Sequence, residues 1–200
     1  MMSETNTLYP VFLKLHRLRM LIVGAGEVGC EKLTFMLKSS PDAHITVVAK
    51  EVLPPVAGLL EQYPDADVTV IQKAFEPSDT EGFDLVVAAT NFEHLNREVR
   101  AAAKAHNALV NVADTPGLCD FYLGSIVTRG QLKVAISTNG QSPTFAKRFR
   151  QWLEAALPEE TDELLHHLKI FRDQLKGDFE MKVKALNELT ASLVEAPPKD

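Results

Sequence analysis

The chain has few cysteines and no long apolar run. Its 200 residues include two cysteines, Cys30 and Cys119, which is too few for a disulfide framework and makes a zinc site improbable. No apolar stretch approaches the roughly 20 residues that a membrane-spanning helix needs. The N-terminus lacks a basic region followed by an apolar one, so we expect no signal peptide and a cytoplasmic location.

An excess of basic residues is missing as well. The chain has 21 Lys and Arg against 27 Asp and Glu, for a formal net charge of −6. Because no basic stripe is present to neutralise phosphates, we do not expect nucleic acid as the main partner. The short apolar stretches likewise give no reason to expect a membrane as a partner. The six histidines include no H-x-x-x-H or HExxH arrangement, so we expect no metal site.

The most informative stretch is the glycine-rich segment of residues 24–29. It follows an apolar run at 20–23 that predicts a buried parallel strand, and it precedes residues with helical spacing at 32–37. In this context, the first glycine permits a tight turn, the second lets backbone approach a pyrophosphate, and the third lets the helix pack on the strand. The alternative is a glycine-rich turn without a ligand. The pattern predicts dinucleotide binding at Gly24, Ala25, Gly26, Glu27, Val28 and Gly29.

The first half of the chain alternates between predicted strands and helices, with a loop or single turn at 76–82. This order is typical of an open parallel α/β sheet with Rossmann-like topology. Residues 8–13 are predicted to form a short edge strand or an extended arm. Strands are predicted at 20–23, 45–49, 68–71, 85–89 and 109–113, and helices at 27–38, 52–63 and 93–106.

The pattern changes after residue 114. A β-hairpin is predicted around Gly130 and Gln131, and Gly177 marks a break within the helical region that follows. We expect a Rossmann domain over 1–113, a β-rich connector over 114–143 and an α-helical C-terminal lobe over 144–200. The hairpin strands are predicted at 124–129 and 132–137, a helix at 144–157, one or two further helices over 159–192, and a frayed tail at 196–200.

Two charged residues follow the second predicted strand. A Rossmann NAD site places a carboxylate at this point to bind the adenosine ribose. Glu51 lies 22 residues after Gly29 and is placed to serve from the next turn, whereas Lys50 suits a 2′-phosphate and would favour NADP. Both are equally compatible with a solvent-exposed loop, so these residues leave the choice of cofactor open.

Polar residues also follow the fourth and fifth strands, where ligands of such sheets bind. We expect Thr90 and Asn91 to contact the nicotinamide side of the cofactor, and Asn91 is also suited to cap the next helix. Asp114 is expected to face the same crevice as a proton acceptor or a stabiliser of positive charge. An Asp before Thr-Pro-Gly is equally good turn chemistry.

A polar loop at 137–143 separates the hairpin from the next helix. It is predicted either to bind an anion through its N–H groups and hydroxyls or to cap that helix, with Ser142 as the N-cap before Pro143. The basic cluster that follows suits either a solvated face or a polycarboxylate ligand. This basic cluster consists of Lys147, Arg148 and Arg150.

Taken in order, several of these stretches resemble the precorrin-2 dehydrogenase family, the N-terminal module of siroheme synthases. The resemblance spans roughly residues 8–157, and beyond it the chain matches only in length and helical character. The stretches that carry it are 9–13, 21–29, 45–49, 88–91, 111–114, 121, 124–127 and 135–143.

The resemblance implies an NAD-dependent enzyme that oxidises precorrin-2, a polycarboxylate tetrapyrrole, to sirohydrochlorin. The family's acidic catalytic residue falls on Asp114, and its cofactor contacts fall on residues 24–28, Lys50 and Glu51. Family members are homodimers whose β-rich connectors pair, a role that falls on residues 124–137. Some members also insert Fe²⁺ into sirohydrochlorin, so this second activity stays open.

A polycarboxylate substrate gives a role to the basic residues after the Rossmann domain, which are Arg129, Lys133, Lys147, Arg148 and Arg150.

A different class of protein also fits the glycine motif, namely an NAD(H)-sensing regulatory module without catalysis. Such modules usually keep an acidic residue at the end of the second strand and lack a counterpart of the loop at 139–143. Binding of a tetrapyrrole discriminates between the two.

Overall fold

A computed structural model describes residues 5–191 of the chain. The predicted tail at 196–200 and the end of the last predicted helix, at residue 192, lie outside the described residues. The described chain divides into two compact units. The first runs to Ser125 and resumes over Ala135–Ala146, and the second comprises Ile126–Val134 and the chain from Lys147 onward. The three-segment division expected from the sequence remains a prediction.

The first unit contains a five-stranded parallel sheet, as predicted. Its strands lie in the order β3-β2-β1-β4-β5, and every neighbouring pair is parallel. The central strands are almost wholly apolar and are buried on both faces, which is the pattern that parallel sheets require. The strands are β1 (Arg19–Ala25), β2 (His44–Val52), β3 (Val68–Gln72), β4 (Leu85–Ala88) and β5 (Leu109–Val112).

Helices cover the two faces of this sheet. One face packs Ile22 and its neighbours against apolar residues of the first two helices, and the other packs Leu21 against Val99 and Ala103 of the third. Short 3-10 helices lie at Leu15–Arg17, Pro77–Thr80 and Pro116–Leu118. The three α-helices are α1 (Glu27–Ser39), α2 (Pro54–Gln62) and α3 (Glu93–Ala105).

Strand β2 is longer than predicted. Val23 pairs with Val48, but Ala25 pairs with Val52, so the register shifts and Gly24 lies opposite several β2 residues. Leu53 N then donates to Ala25 O at 3.2 Å, which extends the pairing to the start of α2. The prediction that the strand ends at residue 49 was wrong, because this bulge lets the strand continue past it.

Residues 8–13 do not form the edge strand that was one of the two alternatives; they have no regular secondary structure. They belong to neither sheet of the described chain, and their apolar side chains face solvent. Tyr9 is 87% exposed and Phe12 is 68% exposed.

The remaining elements follow the predicted order. Strands β6 (Ser125–Arg129) and β7 (Leu132–Ile136) pair as a two-stranded sheet, and Gly130 has φ +53° at the turn between them. Gly177, with φ +116°, confirms the predicted break between the last two helices. None of the helices in the described part of the chain is long and apolar enough to span a membrane. The helices that follow the hairpin are α4 (Pro143–Ala156), α5 (Thr161–Gln174) and α6 (Phe179–Leu189).

Candidate functional site

The candidate site lies in the first unit, at the carboxyl ends of the parallel strands. The glycine-rich turn follows β1, and the segment after β4 lies directly beside it. Since β1 and β4 are neighbours at the centre of the β3-β2-β1-β4-β5 order, they flank the point where the strand order reverses. Open α/β sheets bind ligands in the crevice at that point.

The three glycines of the turn are needed for different reasons. Gly24 has φ +111°, and a Cβ added there would lie 2.4 Å from Ala89 O. A Cβ on Gly29 would lie 2.0 Å from Gly24 O, so the first turn of α1 packs directly on the turn before it. A Cβ on Gly26 would meet nothing within 4 Å. The backbone at Gly26 is therefore open to an approaching group, while the other two glycines are closed in by backbone.

The start of α1 offers free N–H groups beside that opening. Gly26 is the N-cap residue, and no side chain in the described chain caps the helix there. The first N–H groups of a helix lack intrahelical partners, and the helix dipole favours an anion at this end. The open backbone and the uncapped helix start fit the pyrophosphate of a dinucleotide.

Lys50 and Glu51 lie within the last part of β2. Both are exposed, and neither side chain has a hydrogen bond or an ion pair within residues 5–191. As successive residues of a strand, they point to opposite faces of the sheet. At most one of them therefore faces a bound adenosine ribose. The positions of Lys50 and Glu51 favour neither NAD nor NADP.

Thr90 is fixed by a residue that the sequence did not single out. Asn96, which is 6% exposed on α3, accepts hydrogen bonds at its Oδ1 from Thr90 N (3.1 Å) and Thr90 Oγ1 (2.7 Å). Its Nδ2 donates to Thr90 O at 2.9 Å. These bonds hold the backbone that borders Gly24. The sequence does contain a sign of this role, because Asn96 falls on the apolar face of an amphipathic helix, where a buried polar side chain needs a hydrogen-bond partner.

Asn91 does not cap α3, so that prediction was wrong. The N-cap residue is Phe92, whose N donates to Thr90 Oγ1 at 3.2 Å. Thr90 thus supplies the hydroxyl that starts this turn, and Asn91 is exposed beside it. Contact of Thr90 and Asn91 with a cofactor remains a prediction.

Asp114 follows β5 with a left-handed backbone, φ +56°. Ala113 N donates to Ala88 O at 2.9 Å, so the sheet pairing continues up to the residue before it. Asp114 is exposed, and within the described chain its carboxylate forms no hydrogen bond or ion pair. A carboxylate without a partner in the described chain therefore lies at the carboxyl end of the sheet, just after β5, the strand next to β4.

Asp120 closes the segment that carries Asp114. Its Oδ2 accepts hydrogen bonds from Lys104 Nζ and Val110 N, both at 2.9 Å. Partial burial would raise the pKa of the Asp120 carboxyl, but the Lys104 ammonium and the Val110 N–H outweigh burial and lower that pKa. Asp120 is therefore held ionised as a structural anchor.

The loop at 137–143 caps α4, as one of the two interpretations predicted. Phe145 N donates to Ser142 Oγ at 3.1 Å, and Ser142 N donates to Thr138 Oγ1 at 3.2 Å. Asn139 has φ +53° and Gly140 has φ +77° in the tight turn between them. Anion binding by this loop remains a prediction.

Several of the predicted basic residues are engaged within the second unit. The Arg129 guanidinium donates to the Glu154 carbonyl, and Arg150 forms an ion pair with the Glu154 carboxylate. Arg148 Nη1 donates to Gln151 Oε1 at 3.1 Å, and Lys147 is exposed. Across the described residues, no group of three or more His, Cys, Asp or Glu is placed to hold a metal ion.

Comparisons with known proteins agree with this geometry. A family model described as putative NAD(P)-binding matches residues 11–125, and one described as sirohaem biosynthesis protein central matches residues 129–156. The siroheme synthase of Methylococcus capsulatus is 36% identical over 167 residues, which are 84% of this chain and 34% of that protein. The siroheme synthase of Pseudoalteromonas atlantica is 36% identical over 176 residues, which are 88% of this chain and 37% of that protein.

This chain therefore spans about a third of the length of the curated relatives it matches. Among solved structures, SirC, a precorrin-2 dehydrogenase, is 26% identical with a TM-score of 0.72, over 91% of this chain and 89% of that chain. The predicted resemblance to precorrin-2 dehydrogenases and siroheme synthases is confirmed. The chain belongs to the putative NAD(P)-binding family and carries, after that domain, the central segment of sirohaem biosynthesis proteins.

Proposed function

We propose that this protein oxidises precorrin-2 to sirohydrochlorin with NAD⁺ as the hydride acceptor. The observation that carries the proposal is the open glycine turn at β1 together with the unpaired Asp114 carboxylate at β5, both at the carboxyl edge of one sheet. The similarity to a precorrin-2 dehydrogenase over most of the chain supports this choice of substrate.

The cofactor would be held by backbone more than by side chains. The open backbone at Gly26 and the uncapped N–H groups at the start of α1, from Glu27 to Gly29, would bind its pyrophosphate. Lys50 or Glu51 would contact the adenosine ribose, and Thr90 and Asn91 would line the nicotinamide side. When bound, NAD⁺ supplies the site that accepts a hydride.

Asp114 would accept the proton that the substrate releases, or stabilise the positive charge left on it. Loss of two hydrogens from the tetrapyrrole releases a proton in addition to a hydride, so a base or a source of negative potential is needed. The Asp114 carboxylate is exposed and unpaired within residues 5–191, so it is free to accept that proton or to stabilise positive charge on the substrate.

The second unit would provide a contact with a second copy of the chain. The β6–β7 hairpin is the segment expected to pair across a homodimer, and α4 beside it in sequence carries Trp152, which is 61% exposed and stacks on Phe149. Large exposed aromatic side chains are typical of association surfaces. Exposed basic side chains such as Lys147 would attract the substrate carboxylates.

The experiment that tests the proposal is anaerobic incubation of the chain with precorrin-2 and NAD⁺, followed by visible spectroscopy. A parallel sample with NADP⁺ identifies the preferred cofactor. Appearance of sirohydrochlorin only when a nicotinamide cofactor is present supports the proposal. Binding of NAD⁺ without turnover and without tetrapyrrole binding contradicts it and favours the NAD(H)-sensing module.

Iron insertion is tested in the same cuvette. Fe²⁺ would act as a substrate, and a further spectral change that requires Fe²⁺ would add a chelatase activity to the dehydrogenase. This second activity and the cytoplasmic location remain predictions from the sequence.

A further inference from the structure

The segment after Asp114 is attached to the edge of the sheet. Strand β5 is an edge strand, and its outer peptide groups are satisfied by residues 119–121 in place of another strand. Val110 N donates to Asp120 Oδ2 at 2.9 Å, and Asp120 N donates to Val110 O at 2.7 Å. Asn111, which is 7% exposed, donates from Nδ2 to Phe121 O at 2.8 Å.

The Cys119 thiol bonds the last residue of β5, two residues before Asp114. Val112 N donates to Cys119 Sγ at 3.2 Å, and Cys119 Sγ lies 3.2 Å from Val112 O, to which the S–H donates. One thiol thus bonds both outer peptide groups of Val112, because it accepts and donates at once. Val112 O also accepts a hydrogen bond from Thr115 N at 3.3 Å, and Thr115 O lies 3.5 Å from Cys119 Sγ as a second acceptor. Burial raises the pKa of the Cys119 thiol, which keeps the donating hydrogen in place at neutral pH.

These contacts close a six-residue loop, 113–118, at its base. The chain leaves β5 after Val112 and returns to the same residue at Cys119, so both ends of the loop are tied to Val112. Asp114 lies in this loop with φ +56°, a conformation that costs an L-residue about 1 kcal/mol and persists only when its surroundings impose it.

We propose that Cys119 is a positioning residue for Asp114: its thiol ties the returning chain to Val112 and so fixes where the Asp114 carboxylate lies in the crevice. The inference rests on the proposed role of Asp114 in the dehydrogenase. Displacement of a catalytic group by about 1 Å can lower the rate about 100-fold, so loss of this tie is expected to affect turnover more than cofactor binding.

The test compares three variants by kinetics and by amide hydrogen exchange. Cys119→Ala removes the tie, whereas Cys119→Ser keeps a group that donates and accepts. Cys30→Ala is the matched control, because Cys30 is the other half-buried cysteine and its thiol forms no hydrogen bond within the described chain. The readouts are kcat and the Kd for NAD⁺ in each variant, and the exchange rates of the amides at 113–118.

We expect Cys119→Ala to lower kcat about 10-fold to 100-fold, to change the Kd for NAD⁺ less than about 2-fold, and to raise loop exchange about 10-fold. Cys119→Ser should recover kcat to within about 3-fold of the wild type, and Cys30→Ala should match the wild type in every readout. If Cys119→Ala is too unstable to assay, the kcat of Cys119→Ser is the test. Since serine keeps both hydrogen bonds, a fall in its kcat beyond about 10-fold would show that these bonds do not position Asp114.

Unchanged kcat or unchanged loop exchange in Cys119→Ala overturns the proposal. Should the wild type itself lack dehydrogenase activity, the proposed function fails. Amide exchange at residues 113–118 then still tests whether Cys119 holds the loop, because it is measured without substrate. Faster exchange in Cys119→Ala supports that role, and unchanged exchange overturns it.

Discussion

The two compact units differ in how much apolar surface they bury. In the first unit, strands β1 and β4 and the helices around them form two continuous cores, in which Leu21, Ile22 and Val86 are 0% exposed. In the described part of the second unit, Val127 is the sole buried apolar residue, while Trp152 is 61% exposed. Since burial of apolar surface drives folding, the first unit has its own source of stability. The described part of the second unit exposes more of its large apolar side chains.

The polar side chains that form hydrogen bonds are also more deeply buried in the first unit than in the second. In the first unit, the buried side chains of Asn96 and Asn111 donate hydrogen bonds to the backbone carbonyls of Thr90 and Phe121. The second unit relies on half-exposed groups such as Arg150 with Glu154. Substitutions in the first unit should therefore change stability and cofactor binding, and substitutions in the second should change assembly.

The largest effect is expected at Gly29. In Gly29→Ala the new Cβ would lie 2.0 Å from Gly24 O, so the start of α1 must separate from the turn, and the free energy of unfolding should fall by about 3 kcal/mol or more. In the matched variant Gly26→Ala the methyl group points into open space, so stability should change by less than about 1 kcal/mol. Urea unfolding measures both.

Gly26→Ala is expected to weaken NAD⁺ binding although it leaves the stability of the fold nearly unchanged. The methyl group of Gly26→Ala occupies the space that a pyrophosphate would approach, so the Kd for NAD⁺ should rise at least about 10-fold. A normal NAD⁺ affinity in Gly26→Ala would place the cofactor elsewhere.

The next effect is expected at Asn96. Asn96→Ala leaves Thr90 N and Thr90 O without partners in a half-buried turn, which should cost about 2 kcal/mol in the free energy of unfolding. Asn187→Ala, an exposed change on α6 of the second unit, should stay within about 0.5 kcal/mol of the wild type. Equal effects at both positions would remove the proposed contrast between the two units.

Association of the second unit is tested at Trp152. If α4 contributes to a homodimer, Trp152→Ser should weaken dimerisation by about 2 kcal/mol, seen as a higher dissociation constant in sedimentation equilibrium. Phe35→Ser, which removes an exposed aromatic ring from α1 in the first unit, serves as the control and should leave the dimer intact. A wild-type chain that sediments as a monomer at all concentrations would contradict the dimer.

The smallest effect is expected at His44. The hydrogen bond from its Nδ1 to Asp67 raises the pKa of His44 above the ordinary value of 6.5. A raised pKa in the folded state adds stability that is fully present below about pH 6.5 and is lost as the pH rises through the folded-state pKa. His44→Gln should flatten the stability profile across that window. An unchanged profile in His44→Gln would show that this pair does not stabilise the fold.

The sheet and its order could be predicted from the sequence because the signal is local. Apolar runs such as residues 20–23 and 85–88 are buried on both faces, and the glycine motif fixes where β1 ends. The end of β2 could not be predicted, since the bulge opposite Gly24 depends on pairing between strands and leaves no mark in residues 50–52.

The chemistry of the site was only partly predictable for a similar reason. Asp114 stands out because it follows a strand, and the family resemblance gives it a role. The residues that fix the site act through partners distant in the sequence: Asn111 bonds Phe121 O, and Cys119 bonds Val112. The cap expected of Asn91 is also absent: Phe92 is the N-cap of α3, and Thr90, bonded to Asn96, accepts the hydrogen bond from Phe92 N.

The most direct test of the account is the turnover of precorrin-2 by Asp114→Asn at saturating NAD⁺. The amide keeps the size of the side chain but cannot accept a proton, so kcat should fall about 100-fold to 10,000-fold while the Kd for NAD⁺ stays within about 2-fold of the wild type. Full turnover in Asp114→Asn would contradict the assignment of Asp114 as the residue that carries the chemistry.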